Sequence, residues 1–292
     1  MFTGTYTALV SPFLNDQLDD ASYLKLIEHQ IAGGITGVIP VGTTGESPTL
    51  EHDEHLTLVR RAVEIAKGRC QVLAGAGSNS TRKTITLVKE CEQLGADGVL
   101  LVAPYYNKPS QEGLFRHFRA VAAATRLPVM LYNIPGRCGV EISVDVVRRL
   151  SAECPNIVSI KEAGGTPERV SAMRQVLPAE FTILSGDDSL TLPFLSVGAV
   201  GVVSVASNLI PAEVVALVNH FADGQALAAR VLHHAFYPLF KELFVEPSPV
   251  PIKHALMWKG IIASAEVRAP LCEPSRENSD RLRALLVASK VL

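Results

Sequence analysis

The chain has 292 residues, of which 48% are hydrophobic and 19% charged, with a formal net charge of -2. That suffices for one large core, or for one large domain with an appendage, and the near-neutral balance carries no nucleic-acid footprint. No apolar stretch is long enough to span a bilayer, and Met1-Phe2-Thr3-Gly4-Thr5 lacks the basic and apolar regions of a signal peptide, so a cytoplasmic protein with no nucleic-acid or membrane partner is expected.

Short apolar runs recur along the chain at residues 6–10, 37–41, 72–74, 98–102, 129–132, 157–161, 181–184 and 200–204. Each is rich in branched residues and leaves into a loop carrying Gly, Pro, Asn or Ser. Continuous apolar runs suit parallel strands buried on both faces. Eight of them alternating with helices over roughly 225 residues predict an α/β fold, a (β/α)8 TIM barrel. A doubly wound open sheet is the alternative, but the GxGxxG fingerprint that it would favour is missing.

The helices between the runs carry their own stop and start signals. Residues 20–32 end at Gly33-Gly34, a C-cap signature. Residues 53–66 place Leu56, Val59, Val63 and Ala66 at helical spacing before Gly68. Asn79 or Ser80 caps a helix that runs to Leu94 and stops at Gly95. Pro211 opens another, ending near Phe221. From about Gln225 the alternation ceases, and Pro247-Ser248-Pro249 and Pro270 break what is otherwise helical. The expectation is a catalytic barrel over residues 1–224 and a small C-terminal helical appendage over 225–292.

Five cysteines, at positions 70, 91, 138, 154 and 272, are scattered, odd in number and free of any CxxC, and read as reduced thiols. There is no HExxH and no Cys/His cluster. His52 and His55 share a helical face without a third ligand and read as surface histidines. No metal and no cofactor is expected.

The chemistry gathers where a barrel places it, at the C-terminal ends of the strands. There the second run leaves into Gly42-Thr43-Thr44-Gly45-Glu46, the fourth into Pro104-Tyr105-Tyr106-Asn107-Lys108-Pro109, and the fifth into Tyr132-Asn133-Ile134-Pro135-Gly136-Arg137. The sixth ends at Lys161, the seventh in Ser185-Gly186-Asp187-Asp188, and the eighth in Val203-Ser204. Lysine is an unusual end for a buried strand. Desolvation lowers the pKa of an amine, and a neutral amine attacks carbonyls to form a Schiff base. Gly42 to Glu46 lacks the P-loop spacing, yet its backbone N–H groups and two hydroxyls suit a carboxylate. Tyr132 is a proton donor and acceptor beside an amine, and Arg137 a fixed cation for a carboxylate. Each alone is more often a snorkelling lysine, a core-edge tyrosine or a surface ion pair. Gathered at one rim, they read as an active site.

These motifs, with Tyr6-Thr7-Ala8-Leu9-Val10-Ser11-Pro12-Phe13 at the start of the chain, resemble the pyruvate-dependent Schiff-base aldolase/lyase superfamily, and within it the dihydrodipicolinate synthase family. The resemblance covers nearly the whole chain. It implies that Lys161 forms a Schiff base with pyruvate, and that Tyr132, Thr43 and Tyr106 form a hydroxyl relay, Tyr106 coming from the neighbouring subunit. It implies that Thr44 binds the pyruvate carboxylate, with Gly186 and the Val203 carbonyl in the same pocket, and that Arg137 binds the carboxylate of aspartate 4-semialdehyde. A homotetramer built from two tight dimers goes with it. N-acetylneuraminate lyase and 2-keto-3-deoxy-sugar acid aldolases share the lysine and tyrosine, but Arg137 departs from what their second substrates need. Lysine-sensitive members of the family bind the amino acid in a cleft matched here by Ser47, Leu50, His52, His55, Asn79 and Tyr105. Lys83 stands where those members carry glutamate, so weak or absent feedback inhibition is expected.

Overall fold

A computed structural model describes residues 2–292. Eight parallel strands close into a barrel: β1 (Gly4–Ala8), β4 (Gly37–Ile39), β5 (Gln71–Gly75), β6 (Gly98–Val102), β7 (Val129–Asn133), β8 (Ile157–Glu162), β9 (Thr182–Ser185) and β10 (Gly201–Ser204). Each neighbour in sequence is a neighbour in space, and β1 closes the ring by pairing with both β10 and β4. Around them run α1 (Asp20–Ala32), α2 (His52–Ala66), α3 (Thr81–Gln93), α4 (Gln111–Ala122), α6 (Val144–Glu153), α7 (Pro167–Val176), α8 (Thr191–Ser196) and α9 (Pro211–Ala222). A single turn, α5 (Pro135–Cys138), follows β7. Three further helices, α10 (Ala226–Glu242), α11 (Val250–Trp258) and α12 (Arg276–Ala288), lie C-terminal to the alternation. Among the described residues no helix is long and apolar enough to cross a membrane.

The two faces of each strand feed two cores. One lies between sheet and helices and holds residues such as Val38, Val72, Leu101 and Ile160. The other fills the barrel, with Phe2, Tyr6, Ile39, Leu73, Leu100, Met130, Leu184 and Val203. Phe2 and Tyr6 meet edge to face, with ring centroids 6.0 Å apart, and Tyr6 donates its hydroxyl hydrogen bond to Gln71. Full burial of such a ring contributes roughly 1.5–3 kcal/mol.

Boundaries moved where hydrogen bonding overruled hydrophobicity. The first strand is Gly4–Ala8 rather than 6–10, because Gly4 pairs with Gly201 and donates its N–H to Val200. Leu9 and Val10 are buried beyond the strand end. The second barrel strand stops at Ile39, since Pro40 has no N–H to give and Val41 turns to a left-handed φ of 58°. The buried face of α2 is His55, Leu58, Val59, Ala62, Ile65 and Ala66, so Leu56 and Val63 of the predicted stripe flank the buried one rather than belong to it. Ser80, not Asn79, caps α3 by accepting from the Lys83 N–H. A hairpin of β2 (Phe13–Leu14) and β3 (Gln17–Leu18) was not foreseen; its turn residues Asn15 and Asp16 both take positive φ.

Candidate active site

Lys161 and Tyr132 are register partners on adjacent strands, so alternation points both into the barrel. Lys161 is 5% exposed, and its Nζ sits 4.1 Å from the centroid of the Tyr132 ring. Burial drives the amine down from its ordinary 10.5 to about 7, with Asp188 opposing that fall and Arg137 adding to it. The amine is therefore substantially neutral near pH 7, the state a nucleophile needs. Tyr132 is 4% exposed; burial raises its pKa, while the Arg137 charge and a contact with the Thr43 hydroxyl favour the phenolate.

The surroundings fix the lysine stem. A Cβ on Gly186 would meet Lys161 Cγ and Cε at 3.1 Å and Ala163 Cβ at 2.8 Å, so the chain at 186 has no room for a side chain. Gly186 thus forms the surface on which Lys161 lies. Val203, 1% exposed, lies in the same barrel interior as Tyr132.

Asp188 belongs to this site as well, although its motif alone assigned it no role. It is 2% exposed, accepts from the Val205 and Ala206 N–H groups at 3.0 Å each and from the Ser204 hydroxyl, and is pushed up to about 6, first by burial. One step outward in register, Asn133 faces Glu162 away from the barrel interior. Glu162 accepts from Asn133 Nδ2 at 2.9 and 3.1 Å, from the Gly164 N–H at 2.6 Å and from Arg169 Nε at 2.8 Å. Asn133 Oδ1 accepts from the Ile142 N–H at 2.9 Å. This buried, satisfied network ties the ends of β7 and β8 immediately beyond Tyr132 and Lys161. Nothing in sequence spacing pairs residues 29 apart in this way.

A cavity of about 200 Å³ opens outward, lined by Thr43, Ser47, Pro48, Gly77, Val102, Tyr105, Ile134, Arg137 and Cys138. A narrower space of about 30 Å³ continues inward past Thr43 to Tyr132. Thr43 therefore stands between mouth and floor, and Arg137, exposed on the single turn α5, stands at the mouth. Thr44 is 5% exposed. The loop carrying both threonines is bracketed by Val41 and Glu46, two non-glycine residues with left-handed φ of 58° and 55°. Such conformations cost on the order of 1–3 kcal/mol each and persist only where the surroundings impose them.

Tyr106 is not brought to this cavity. Its side chain is 90% exposed on a backbone with φ 72°. Of the residues matched to a lysine cleft, Ser47 and Tyr105 line the outer cavity, but Leu50, His52, His55 and Asn79 do not, and neither does Lys83, the departure from that pattern. His52 is exposed, with Nε2 3.2 Å from Glu90 Oε1. His55 corrects the surface reading: it is 8% exposed, and burial pushes it down to about 4. Lys83 is exposed in the first turn of α3, which contains no acidic residue. The cysteines are free thiols, buried except for Cys272.

The sequence model described as "Dihydrodipicolinate synthetase family" matches residues 1–289. A protein of Nitratidesulfovibrio vulgaris (strain DP4) named 4-hydroxy-tetrahydrodipicolinate synthase is 46% identical over 291 residues, covering 100% of this chain and 99% of its own. The structure of the 4-hydroxy-tetrahydrodipicolinate synthase from Methylacidiphilum fumariolicum SolV is 56% identical, covers 99% of this chain and 96% of its own, and superposes with a TM-score of 0.98. A dihydrodipicolinate synthase from Cyanidioschyzon merolae, described with lysine bound, is 42% identical over 100% and 99% of the two chains, with a TM-score of 0.97.

Proposed function

Since the chain belongs to the dihydrodipicolinate synthetase family, we propose that it is a lyase condensing pyruvate with L-aspartate 4-semialdehyde to 4-hydroxy-tetrahydrodipicolinate, the committed step of diaminopimelate and lysine biosynthesis, through a Schiff base on Lys161. The observation that carries this reading is the buried Lys161 amine, held at about 7 and set against the Tyr132 ring at 4.1 Å.

The neutral amine attacks the ketone carbon of pyruvate, and the carbinolamine loses water to give an imine. Loss of a methyl proton converts the imine to an enamine, whose carbon attacks the aldehyde of the second substrate. The amino group of the adduct then attacks the imine carbon, closes the ring and releases Lys161. Every step moves a proton, and hydroxyls at fixed positions carry it. Tyr132 and Thr43 do this from within the chain. Tyr106 completes the relay in a neighbouring subunit; its 90% exposure and outward-facing loop support that assignment. Thr44 and its loop N–H groups hold the pyruvate carboxylate, with Gly186 and the Val203 carbonyl beside it. Arg137, at the mouth, takes the carboxylate of the semialdehyde.

Residues 1–224 are the catalytic barrel in this reading, and residues 225–292 a helical region packed on it. The assembly is a homotetramer of two tight dimers, working in the cytoplasm. Lysine binding at Ser47, Leu50, His52, His55, Asn79 and Tyr105 is weakened by the Lys83 ammonium. A coupled assay with pyruvate and aspartate semialdehyde tests the reaction. Turnover dependent on both substrates is expected; turnover of N-acetylneuraminate or a 2-keto-3-deoxy-sugar acid instead would overturn it.

A further inference from the structure

Glu46 ends the threonine loop, yet its side chain points away from the cavity and is 3% exposed. Its Oε1 accepts from Lys253 Nζ at 2.5 Å, and Lys253, on α11 in the C-terminal region, is itself fully buried. Its Oε2 accepts from the Arg268 N–H at 2.9 Å. Lys253 also donates to the Glu266 carbonyl at 2.6 Å and lies 4.3 Å from the Phe13 ring centroid. Arg268 stacks on that same ring at 4.4 Å and forks onto Glu54 at 2.5 and 2.6 Å. Two C-terminal segments thus converge on one carboxylate of the barrel.

The backbone of that residue reaches back to the site. The Glu46 N–H donates to the Thr43 carbonyl at 3.1 Å, and the Gly45 N–H to the Gly42 carbonyl at 3.1 Å. The Ser11 hydroxyl donates to the Gly45 carbonyl at 2.7 Å, and a Cβ at position 45 would meet Val41 Cα and N at 3.0 Å. The loop is therefore closely packed, and Glu46, whose side chain makes these contacts, takes a left-handed φ of 55°. A buried ion pair adds little net stability over an apolar pair of equal volume. It does fix direction, because each charge is costly to leave without its partner.

We propose that the buried Glu46–Lys253 pair is a positioning device, by which the C-terminal helical region holds Thr43 and Thr44 in place for the pyruvate carboxylate. The proposal rests on the Schiff-base reading for what the loop binds. It makes the C-terminal region part of the substrate site rather than a covering of the barrel.

The test compares the wild type with Lys253→Met and with the double variant Glu46→Gln/Lys253→Met. The double variant removes both charges at nearly constant volume and so avoids an orphaned carboxylate. For each protein, the pyruvate concentration giving half-maximal borohydride-trapped adduct is measured, beside the KM for aspartate semialdehyde and the far-UV circular dichroism. Displacement of the loop should raise the half-saturating pyruvate concentration about 10- to 100-fold and leave the semialdehyde KM within about two-fold, because Arg137 stands on another loop. If Lys253→Met does not fold, the double variant decides. Folded variants with unchanged pyruvate saturation would overturn the proposal, as would a double variant that fails to fold, since the pair would then be holding up the barrel and not the loop. Absence of any adduct in the wild type would strike the Schiff-base reading instead.

Discussion

Replacing Lys161 by methionine should abolish turnover and at the same time make the protein more stable. Burial lowers the amine from 10.5 to about 7, so the folded state holds a proton less readily than the unfolded chain. A difference of one pKa unit is worth ~1.4 kcal/mol, and near pH 7, where the folded amine is about half protonated, the penalty is on the order of 4 kcal/mol. Its sign follows from the direction of the shift. The cost is full below the folded value, falls as pH rises between that value and the unfolded one of about 10.4, and is down to about 1 kcal/mol at pH 10. Methionine has similar length and no charge, and the stem rests on Gly186, so lost packing should return no more than about 1 kcal/mol. Urea unfolding of both proteins near pH 7 and pH 10 reads the difference. A gain of about 2–4 kcal/mol at the lower pH, shrinking at the higher, is expected. A variant no more stable than wild type near pH 7, or a gain independent of pH, would refute the claim that the lysine is desolvated.

Arg137→Ala should raise the KM for aspartate semialdehyde by the equivalent of about 1.5–3 kcal/mol and leave that for pyruvate nearly unchanged; a rise confined to pyruvate would reassign the arginine. Tyr106→Phe should lower kcat although the ring is retained, and mixing it with Lys161→Met subunits should regenerate activity in hybrid dimers; kcat unchanged in the homogeneous variant would remove the tyrosine from the relay. L-lysine titrated at fixed substrate concentrations should not half-inhibit below about 1 mM, a limit near -4 kcal/mol. Lys83→Glu should then confer some sensitivity, and half-inhibition of the wild type well below that concentration would show the ammonium to be harmless.

What the sequence revealed and what it hid divide along physical lines. Strands buried on both faces read as unbroken apolar runs, so all eight were legible, and so was their rim with Lys161, Tyr132, Thr43 and Arg137. Strand ends were less so, because Gly4 and Pro40 act through hydrogen bonding rather than hydrophobicity. The hairpin at Asn15-Asp16 has strands of two residues each, too short for any periodicity, although two turn formers in succession mark it. His55 is polar but lies on the buried face of α2, where the stripe of larger apolar residues drew attention one position away. The charge networks left no trace in spacing. Glu46 and Lys253 lie 207 residues apart, and only the closed barrel with α11 packed on it brings them together. Asp188 stood within a recognised motif, but its burial beside Lys161 had to come from the fold.

The central claim is that Lys161 is the group that becomes covalently bound to pyruvate. Incubation with pyruvate and borohydride, followed by peptide mass spectrometry, tests it most directly. The account predicts a reduced pyruvyl adduct on the peptide containing Lys161, dependent on pyruvate and abolished in Lys161→Met. An adduct on another lysine, or none while the enzyme turns over, would contradict it.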